Sequence, residues 1–116
     1  IDYICAQGNS MREYDEAETA AVKQVFGRSA WNIPMSSLKS MCGQAFAASS
    51  AMQVVAGCLS LRDQIIPPTT NYQIPDPKCD LDYVPNFARR ARIRYVLIHA
   101  HSMGGSHAAI VLGKRD

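Results

Sequence analysis

Three histidines near the end of the sequence have the type and spacing that could hold a metal ion. His99 and His101 alternate onto one face of a predicted strand, and His107 lies across a predicted turn. Neutral imidazoles are common zinc ligands, so a three-histidine site is conceivable. However, no Asp, Glu or Cys accompanies them in a ligand pattern, and histidines often lie on half-buried sheet faces. We therefore expect ordinary half-buried histidines and no metal ion.

The same run contains a serine that could act as a nucleophile. The segment Ala100-His101-Ser102-Met103-Gly104 follows an apolar run and is similar to the nucleophile elbow of α/β-hydrolases. Three features contradict this similarity. Ala100 replaces the first glycine, the following segment has the pattern of a strand instead of a helix, and His107 precedes Asp116, the reverse of the hydrolase order. A serine hydrolase using Ser102 is therefore an alternative of another class that the context disfavours.

A second region of chemical interest runs from Ser36 to Ala51 and consists almost entirely of small residues. Small side chains on all sides of a helix let neighbouring backbones approach closely, so we expect a buried helix. Its free N–H groups and positive dipole end would point at whatever lies beside Lys39 to Gln44. This arrangement is typical of a binding or catalytic site.

Periodicity and turn signals predict the elements that position these residues. We expect a strand at Ile1–Ala6, a helix at Asp15–Phe26, a strand at Ile33–Ser36, a buried helix continuing to about Arg62, and a hairpin of Tyr95–His101 and His107–Leu112. Asp15 and Glu18 form a capping-box pattern, and Gly27 supplies a stop signal. Paired Gly104 and Gly105 favour a tight turn. The result is an α/β fold, a mixed sheet with one buried and one outer helix.

Proline-rich sequence separates the predicted buried helix from the hairpin. Residues 65–85 include Pro67, Pro68, Pro75, Pro77 and Pro85. Proline removes a backbone donor and does not suit a helix interior or a central strand. This segment is predicted to be a long, ordered surface loop.

Composition and charge narrow the functional classes. The chain has 116 residues, 47% of them hydrophobic, which suits one compact core. Its net charge of +2 does not indicate a nucleic-acid partner, and the basic run at residues 89–94 is interpreted as a solvated loop face. No apolar run is long enough to span a membrane, so we expect no membrane partner. Four cysteines without a C-x-x-C pair favour a reducing cytoplasm and no disulfide framework.

Short motifs occur in order along the whole chain. They are Lys39-Ser40-Met41 with Gly43, Leu61 through Thr69, Pro75-Asp76-Pro77, Cys79 through Pro85, and Gly104-Gly105. Together they resemble the C-terminal half of β-ketoacyl-acyl-carrier-protein synthases, condensing enzymes of the thiolase-like fold. The resemblance implies that residues 1–116 are a C-terminal ketosynthase domain. Because the chain begins without Met, we also expect it to be a fragment of a longer protein, since the nucleophilic cysteine of the family lies in an N-terminal half that this sequence does not include.

The resemblance implies a degenerate catalytic site. In active members of the family, histidines at the positions of Gln7 and Gln44 polarise the malonyl thioester, and a glutamate at the position of Gln53 pairs with the motif lysine. Here Lys39 is retained and the other three positions are glutamines. A glutamine amide can donate a neutral hydrogen bond, but it cannot transfer a proton or carry positive charge near neutral pH. No intact catalytic residue is therefore expected.

The resemblance also implies a gate for the substrate tunnel at the hairpin. The family's Gly-Phe-Gly-Gly loop corresponds to Ser102-Met103-Gly104-Gly105, so Met103 stands in place of the aromatic gate residue. We assign Met103, Gly104 and Gly105 to the tunnel and its gate.

This pattern of losses resembles the chain-length factor, or ketosynthase β subunit, of type II polyketide synthases. The resemblance implies a non-catalytic subunit that forms a heterodimer with a catalytic ketosynthase and shapes the acyl tunnel for malonyl condensation on an acyl carrier protein. No cofactor is expected. The alternative within the same fold is a catalytically active, atypical β-ketoacyl synthase, and a nucleophilic cysteine upstream of Ile1 would favour that alternative.

Overall fold

The computed structural model describes residues 1–115 and contains a four-stranded mixed sheet. Its strands are β1 (Tyr3–Cys5), β2 (Met35–Ser36), β5 (Tyr95–His101) and β6 (His107–Gly113), and a second, two-stranded sheet consists of β3 (Ile65–Ile66) and β4 (Arg89–Arg90). The order in the larger sheet is β2-β1-β5-β6, with β1 parallel to both its neighbours and β6 antiparallel to β5. The predicted mixed sheet is confirmed.

Helices cover both faces of this sheet. They are α1 (Arg12–Phe26), α2 (Lys39–Cys42) and α3 (Ser49–Asp63), with 3₁₀ turns at Gly27–Asn32 and Phe46–Ala48. On one face, Val22 of α1 belongs to a buried cluster with Ile4 and Met35. On the other, Leu61 of α3 belongs to a cluster with Tyr3 and Ile98. Successive residues of β1 thus point alternately toward α1 and α3, as the strand repeat requires.

The first helix is confirmed, but its predicted start is wrong. It begins at Arg12 after Met11, which makes no side-chain cap, and it ends where Gly27 adopts a φ of 54°. Asp15 lies inside the first turn, where its Oδ1 accepts a hydrogen bond from the backbone N–H of Asn9. Glu18 lies in the interior of the helix and does not complete a capping box at its start.

The single buried helix predicted to run from within the Ser36–Ala51 stretch to about Arg62 is also wrong. The chain breaks after α2, since Gly43 (φ 77°) and Phe46 (φ 49°) adopt left-handed backbone conformations. In α3 a single stripe is buried, formed by Ser49, Gln53, Gly57, Ser60 and Leu61. Met52, Val55 and Leu59 on the same helix are exposed. Small residues allow α3 to lie close to the sheet on one side, but they do not bury it on all sides.

The proline-rich loop is confirmed apart from its first residues. Ile65 and Ile66 form β3 and pair with Arg89 and Arg90, so part of the basic run is a strand instead of a loop. The exposed side chains of both arginines agree with the solvated face that was predicted. Strand formation here depends on partners 23 and 25 residues away along the chain, Arg89 for Ile66 and Arg90 for Ile65, which local composition does not indicate.

The C-terminal hairpin is confirmed over β5 and β6. His101 pairs with His107 next to the turn, and Tyr95 pairs with Gly113 at the far end. Within the turn Gly105 has a φ of 79°, the conformation that glycine accepts most readily.

None of the helices described in residues 1–115 is long and apolar enough to span a membrane.

Gly57 allows the close approach of α3 to the sheet. A Cβ at this position would lie 3.0 Å from Leu112 Cδ1 and 3.3 Å from Ile98 Cδ1. We expect Gly57→Leu in the natural full-length polypeptide to lower the free energy of unfolding by about 1 to 3 kcal/mol, because a larger side chain must displace the packed aliphatic tips. Urea unfolding would measure the change.

Gly57→Ala is the matched control. Its single methyl group needs the side-chain tips to move by a few tenths of an ångström, and the better helix propensity of alanine offsets this by about 0.5 to 1 kcal/mol. We expect a change much smaller than for leucine. Equal stability of the two variants would show that the approach at Gly57 is not tight.

Candidate functional site

Two of the predicted site residues, Gln7 and Lys39, meet at the carboxyl end of β1. Gln7 follows the strand and is buried, with 6% of its surface exposed. The ammonium of Lys39, in the first position of α2, donates to the backbone oxygen of Gln7 at 2.5 Å and to its side-chain Oε1 at 3.3 Å. Desolvation lowers the pKa of Lys39 below its usual value, although the nearby Glu18 carboxylate acts in the opposite direction.

Glu18 is a central residue of the site that sequence reasoning missed. Its buried Oε1 accepts hydrogen bonds from the backbone N–H of Gln7 (2.8 Å) and from His99 Nδ1 (2.9 Å), and its Oε2 accepts one from the N–H of Gly8 (3.0 Å). A signal was present in the sequence, because Glu18 precedes Val22 and Phe26 at helical spacing and therefore lies on the same inward face.

The protonation states of Glu18 and His99 reflect this contact. Burial alone would raise the pKa of Glu18, but the hydrogen bonds from His99, Gly8 and Gln7 together hold it below its usual value. The hydrogen bond to Glu18 raises the pKa of His99, and burial opposes this only in part. The pair is thus an ionic hydrogen bond over a range of mildly acidic pH.

Gln53 connects the backbones of two neighbouring strands, β1 and β5, through its side-chain amide. Its Nε2 lies within hydrogen-bond distance of three backbone oxygens, those of Cys5 (3.1 Å), Ala6 (2.8 Å) and His99 (3.1 Å). An amide nitrogen has two hydrogens, so at most two of the three can be fully bonded at once. Its Oε1 is buried and has no hydrogen-bond partner in residues 1–115. The side chain therefore joins the ends of β1 and β5.

Gln44 is placed differently. It is exposed, and its Oε1 accepts a hydrogen bond from Ser49 Oγ at 2.9 Å. Among residues 1–115, no hydrogen bond joins it to Gln7 or Lys39. The structure thus brings together three of the four positions carried over from the resemblance, around the end of β1, and leaves Gln44 at the loop before α3.

The predicted gate residues lie at the tip of the hairpin. Met103 is 83% exposed, and Gly104 and Gly105 are exposed beside it. Ser102 belongs to the same turn, since its N–H donates to the Ser106 oxygen at 2.9 Å. The segment after it is a strand, so the strand-turn-helix geometry of a hydrolase elbow is not formed there. Asp116 lies outside the described residues.

The three histidines converge on the face of the hairpin that α1 covers. One ring nitrogen from each lies within 4.8 Å of the corresponding nitrogens of the other two. Tyr14 of α1 stacks on His101 with ring centroids 5.2 Å apart. Desolvation lowers the pKa of His101, and the neighbouring His99 and His107 add to this, although the Glu18 carboxylate acts in the opposite direction. The imidazole of His101 is thereby favoured in its neutral form.

A larger cavity of about 510 Å³ opens on the other side of Glu18, beside Gly8, Ser37, Ser40 and Thr70. Its wall also includes the charged side chains of Arg12, Asp15 and Asp76 and the apolar side chains of Met35 and Ile74. Cys5 lies close to the site, but burial raises the pKa of its thiol to about 11, so it stays protonated at neutral pH and is unsuited to act as a nucleophile. The site can therefore position a polar group through the Lys39 ammonium and the amide of Gln7. The amide of Gln7 does not titrate near neutral pH, so it cannot transfer a proton.

Comparisons with known proteins agree with the motifs. A family model described as "Beta-ketoacyl synthase, C-terminal domain" matches residues 1–73. A polyketide beta-ketoacyl synthase 1 of Streptomyces cyaneus is 49% identical over 97% of this chain and 26% of its own length. The tetracenomycin polyketide synthase ketoacyl synthase alpha subunit of Streptomyces glaucescens is 44% identical over 98% of this chain and 27% of its own. The chain spans about a quarter of the length of the curated relatives it matches.

Solved structures give the same fold. A type II polyketide synthase acyl carrier protein in complex with its ketosynthase aligns with a TM-score of 0.95 at 45% identity, over 97% of this chain and 28% of the other. The ishigamide ketosynthase/chain length factor aligns with a TM-score of 0.95 at 35% identity, over 100% of this chain and 28% of the other. These alignments confirm the expected thiolase-like α/β fold.

The Glu18–His99 contact predicts a pH-dependent stability. The pKa of Glu18 lies below its ordinary value of 4.5, so its contribution is present above that pH and is lost as the pH falls through the folded pKa. The pKa of His99 lies above its ordinary value of 6.5, so its contribution is present below that pH and is lost as the pH rises through the folded pKa. We expect Glu18→Gln to lower the free energy of unfolding by about 2 kcal/mol between these two values, and by less on either side.

Urea unfolding of the natural full-length polypeptide at several pH values, with EDTA present to remove competing metal ions, would measure this difference. Glu16→Gln is a suitable control, because the Glu16 carboxylate pairs with the exposed Lys78 ammonium at 3.0 Å on the surface and such pairs contribute little. A difference that is independent of pH would contradict an ionic pair between Glu18 and His99.

Proposed function

The chain belongs to the β-ketoacyl synthase family, in which it matches the C-terminal domain, and from that premise we propose that it is part of a non-catalytic, chain-length-factor-like subunit of a type II polyketide ketosynthase. In this role it forms a heterodimer with a catalytic ketosynthase subunit. It shapes the tunnel that holds the acyl chain while the partner condenses malonyl units on an acyl carrier protein. Both fatty acid and polyketide chain elongation use this chemistry.

The observation that carries the proposal is the chemistry of the residue at the end of β1. Gln7 lies beside Lys39, at the position where the resemblance places a histidine in active members. Its amide can accept from the ammonium and hold a carbonyl in place, but it cannot relay a proton. Loss of one positioned acid or base typically lowers a rate by about 10² to 10⁴.

Gln53 supports the same interpretation. In place of a carboxylate that would pair with Lys39, a neutral amide donates to the backbone of β1 and β5. The Lys39 ammonium instead contacts the oxygens of Gln7. The hydrogen bonds of Gln53 thus connect β1 to β5, and Gln53 and Lys39 do not form an acid-base pair.

The kind of partner is suggested by the structural relatives. One is an acyl carrier protein in complex with its ketosynthase, and another is a ketosynthase/chain length factor pair. Because this chain aligns with them over 97% or more of its length, we propose an acyl carrier protein and a ketosynthase subunit as its own partners.

A catalytically active, atypical ketosynthase is the second candidate. This candidate is supported by the tetracenomycin relative, which is named as a ketoacyl synthase alpha subunit and is 44% identical to this chain. The two candidates differ in one measurable property, the decarboxylation of malonyl-acyl carrier protein by the purified full-length polypeptide alone. The proposed function requires that no such turnover occurs.

Substitutions at the glutamines test the assignment in the assembled complex. We expect Gln44→Ala and Gln7→Ala to leave the rate of chain elongation within about threefold of wild type, because neither amide transfers a proton in a non-catalytic subunit. The rate would be measured with malonyl-acyl carrier protein and the catalytic partner, after circular dichroism has shown that each variant is folded.

The corresponding alanine substitutions of the partner's own catalytic histidines serve as positive controls and should lower the rate by about 10² or more. A comparable fall for Gln44→Ala or Gln7→Ala in a folded complex would contradict the non-catalytic role. Turnover of malonyl-acyl carrier protein by the polypeptide alone would favour the second candidate.

Met103 tests the proposed gate. The side chain is at the hairpin tip beside Gly104 and Gly105, and we propose that it borders the acyl tunnel in the complex. We expect Met103→Trp to shorten the main product, since a larger side chain leaves less room for the growing chain. Mass spectrometry of the released products would measure the distribution.

Met103→Leu is the matched control, because leucine has nearly the same volume and such exchanges are usually tolerated. It should leave the product distribution unchanged. If Met103→Trp also gives the wild-type distribution at a normal rate, the tunnel does not pass this residue.

A further inference from the structure

We propose that His99, His101 and His107 form a binding site for a divalent transition-metal ion of the zinc type. This site is independent of the proposed function and lies between α1 and the hairpin. The sequence alone favoured ordinary half-buried histidines at these positions. The folded arrangement supplies three observations that change this assessment.

The first observation is the placement of the ligands. His99 and His101 are two residues apart on β5, and His107 on β6 is paired directly with His101. Two histidines from one strand and a third from its antiparallel neighbour therefore share one face of the hairpin. Three histidines and a solvent ligand are a known donor set for zinc.

The distances suit this set after small side-chain rotations. The three candidate nitrogens lie within 4.8 Å of one another. Zinc–nitrogen bonds of about 2.0 to 2.1 Å in tetrahedral geometry bring such atoms to about 3.4 Å from one another. The rings are already adjacent, with centroids 5.6 Å apart for His99 and His101 and 5.7 Å apart for His101 and His107.

The second observation is the outer support of one ligand. His99 Nδ1 is hydrogen-bonded to the buried carboxylate of Glu18, which leaves Nε2 as the atom able to bind an ion. A carboxylate that holds the far nitrogen of a histidine is the usual support of a metal-bound imidazole, because it fixes the ring and increases its basicity. Glu18 was the carboxylate that the sequence pattern did not indicate.

The third observation is an unpartnered nitrogen. His101 Nε2 is buried and has no hydrogen-bond partner in residues 1–115. A buried polar atom without a partner carries a desolvation cost that a bound ion would remove. Tyr14 stacks on the same ring and holds it in place.

The surroundings leave room for the ion and for a solvent ligand. A cavity of about 320 Å³ is bounded by the three histidines together with Tyr14, Ala17 and Glu18. An ion there would join β5 to β6 directly. Through Glu18 it would also join the hairpin to α1 and to the backbone of Gln7 and Gly8.

Zinc titration of the metal-stripped, full-length polypeptide tests the site, by isothermal titration calorimetry and by the melting temperature. We expect this site to bind about one ion per chain and to raise the melting temperature, because a ligand that binds the folded state stabilises it. His107→Ala and His101→Phe should remove this binding event. Glu18→Gln should weaken it by about 10- to 100-fold, as expected for loss of a supporting carboxylate.

Cobalt(II) in place of zinc provides a spectroscopic check, since a tetrahedral three-nitrogen site gives strong visible absorption bands that a surface-bound ion does not. Cys58→Ser is the matched control, because Cys58 is an exposed thiol of the same chain, and the variant should bind as wild type does. His107 is exposed, so its alanine variant is suited to a folded comparison if His101→Phe does not fold. Equal zinc affinity of wild type and folded His107→Ala, or no binding by wild type, would overturn the proposal.

Discussion

A single buried carboxylate connects the parts of the molecule that meet at the candidate site. Glu18 extends from α1 and accepts hydrogen bonds from two consecutive backbone N–H groups after β1 and from a histidine of β5. A buried charge of this kind is tolerated because every bond to it favours the ionised form. The position of the Gln7 backbone and the orientation of His99 depend on it, and its charge partly offsets the desolvation that lowers the pKa of Lys39.

Local sequence patterns predicted the elements whose signals are local. Alternating apolar residues and paired glycines were sufficient for β5 and β6, since both the strand period and the turn are properties of neighbouring residues. The prediction of one long helix from within the Ser36–Ala51 stretch to about Arg62 was wrong for a related reason. Small residues are compatible with a helix, but they do not indicate where left-handed conformations at Gly43 and Phe46 interrupt it.

The site could be predicted in part. The resemblance of the motifs led to Gln7, Gln53 and Lys39, which the fold brings to the end of β1. Glu18 and His99 were not connected in advance, because they are 81 residues apart in the sequence and each has a plausible local role, a helix cap in one case and a sheet histidine in the other. Contacts of this kind depend on topology, which short patterns do not contain.

The amide of Gln53 limits which side chains this position can accept. Its Nε2 faces the backbone oxygens of Cys5, Ala6 and His99, so a glutamate in this rotamer would set a carboxylate oxygen against three carbonyl oxygens. Like-signed partial charges at such short range destabilise a buried anion. A neutral side chain with a donor nitrogen is therefore what the local backbone accepts at this position. Any exchange of Gln53 for an acidic residue would need a compensating change in these three contacts.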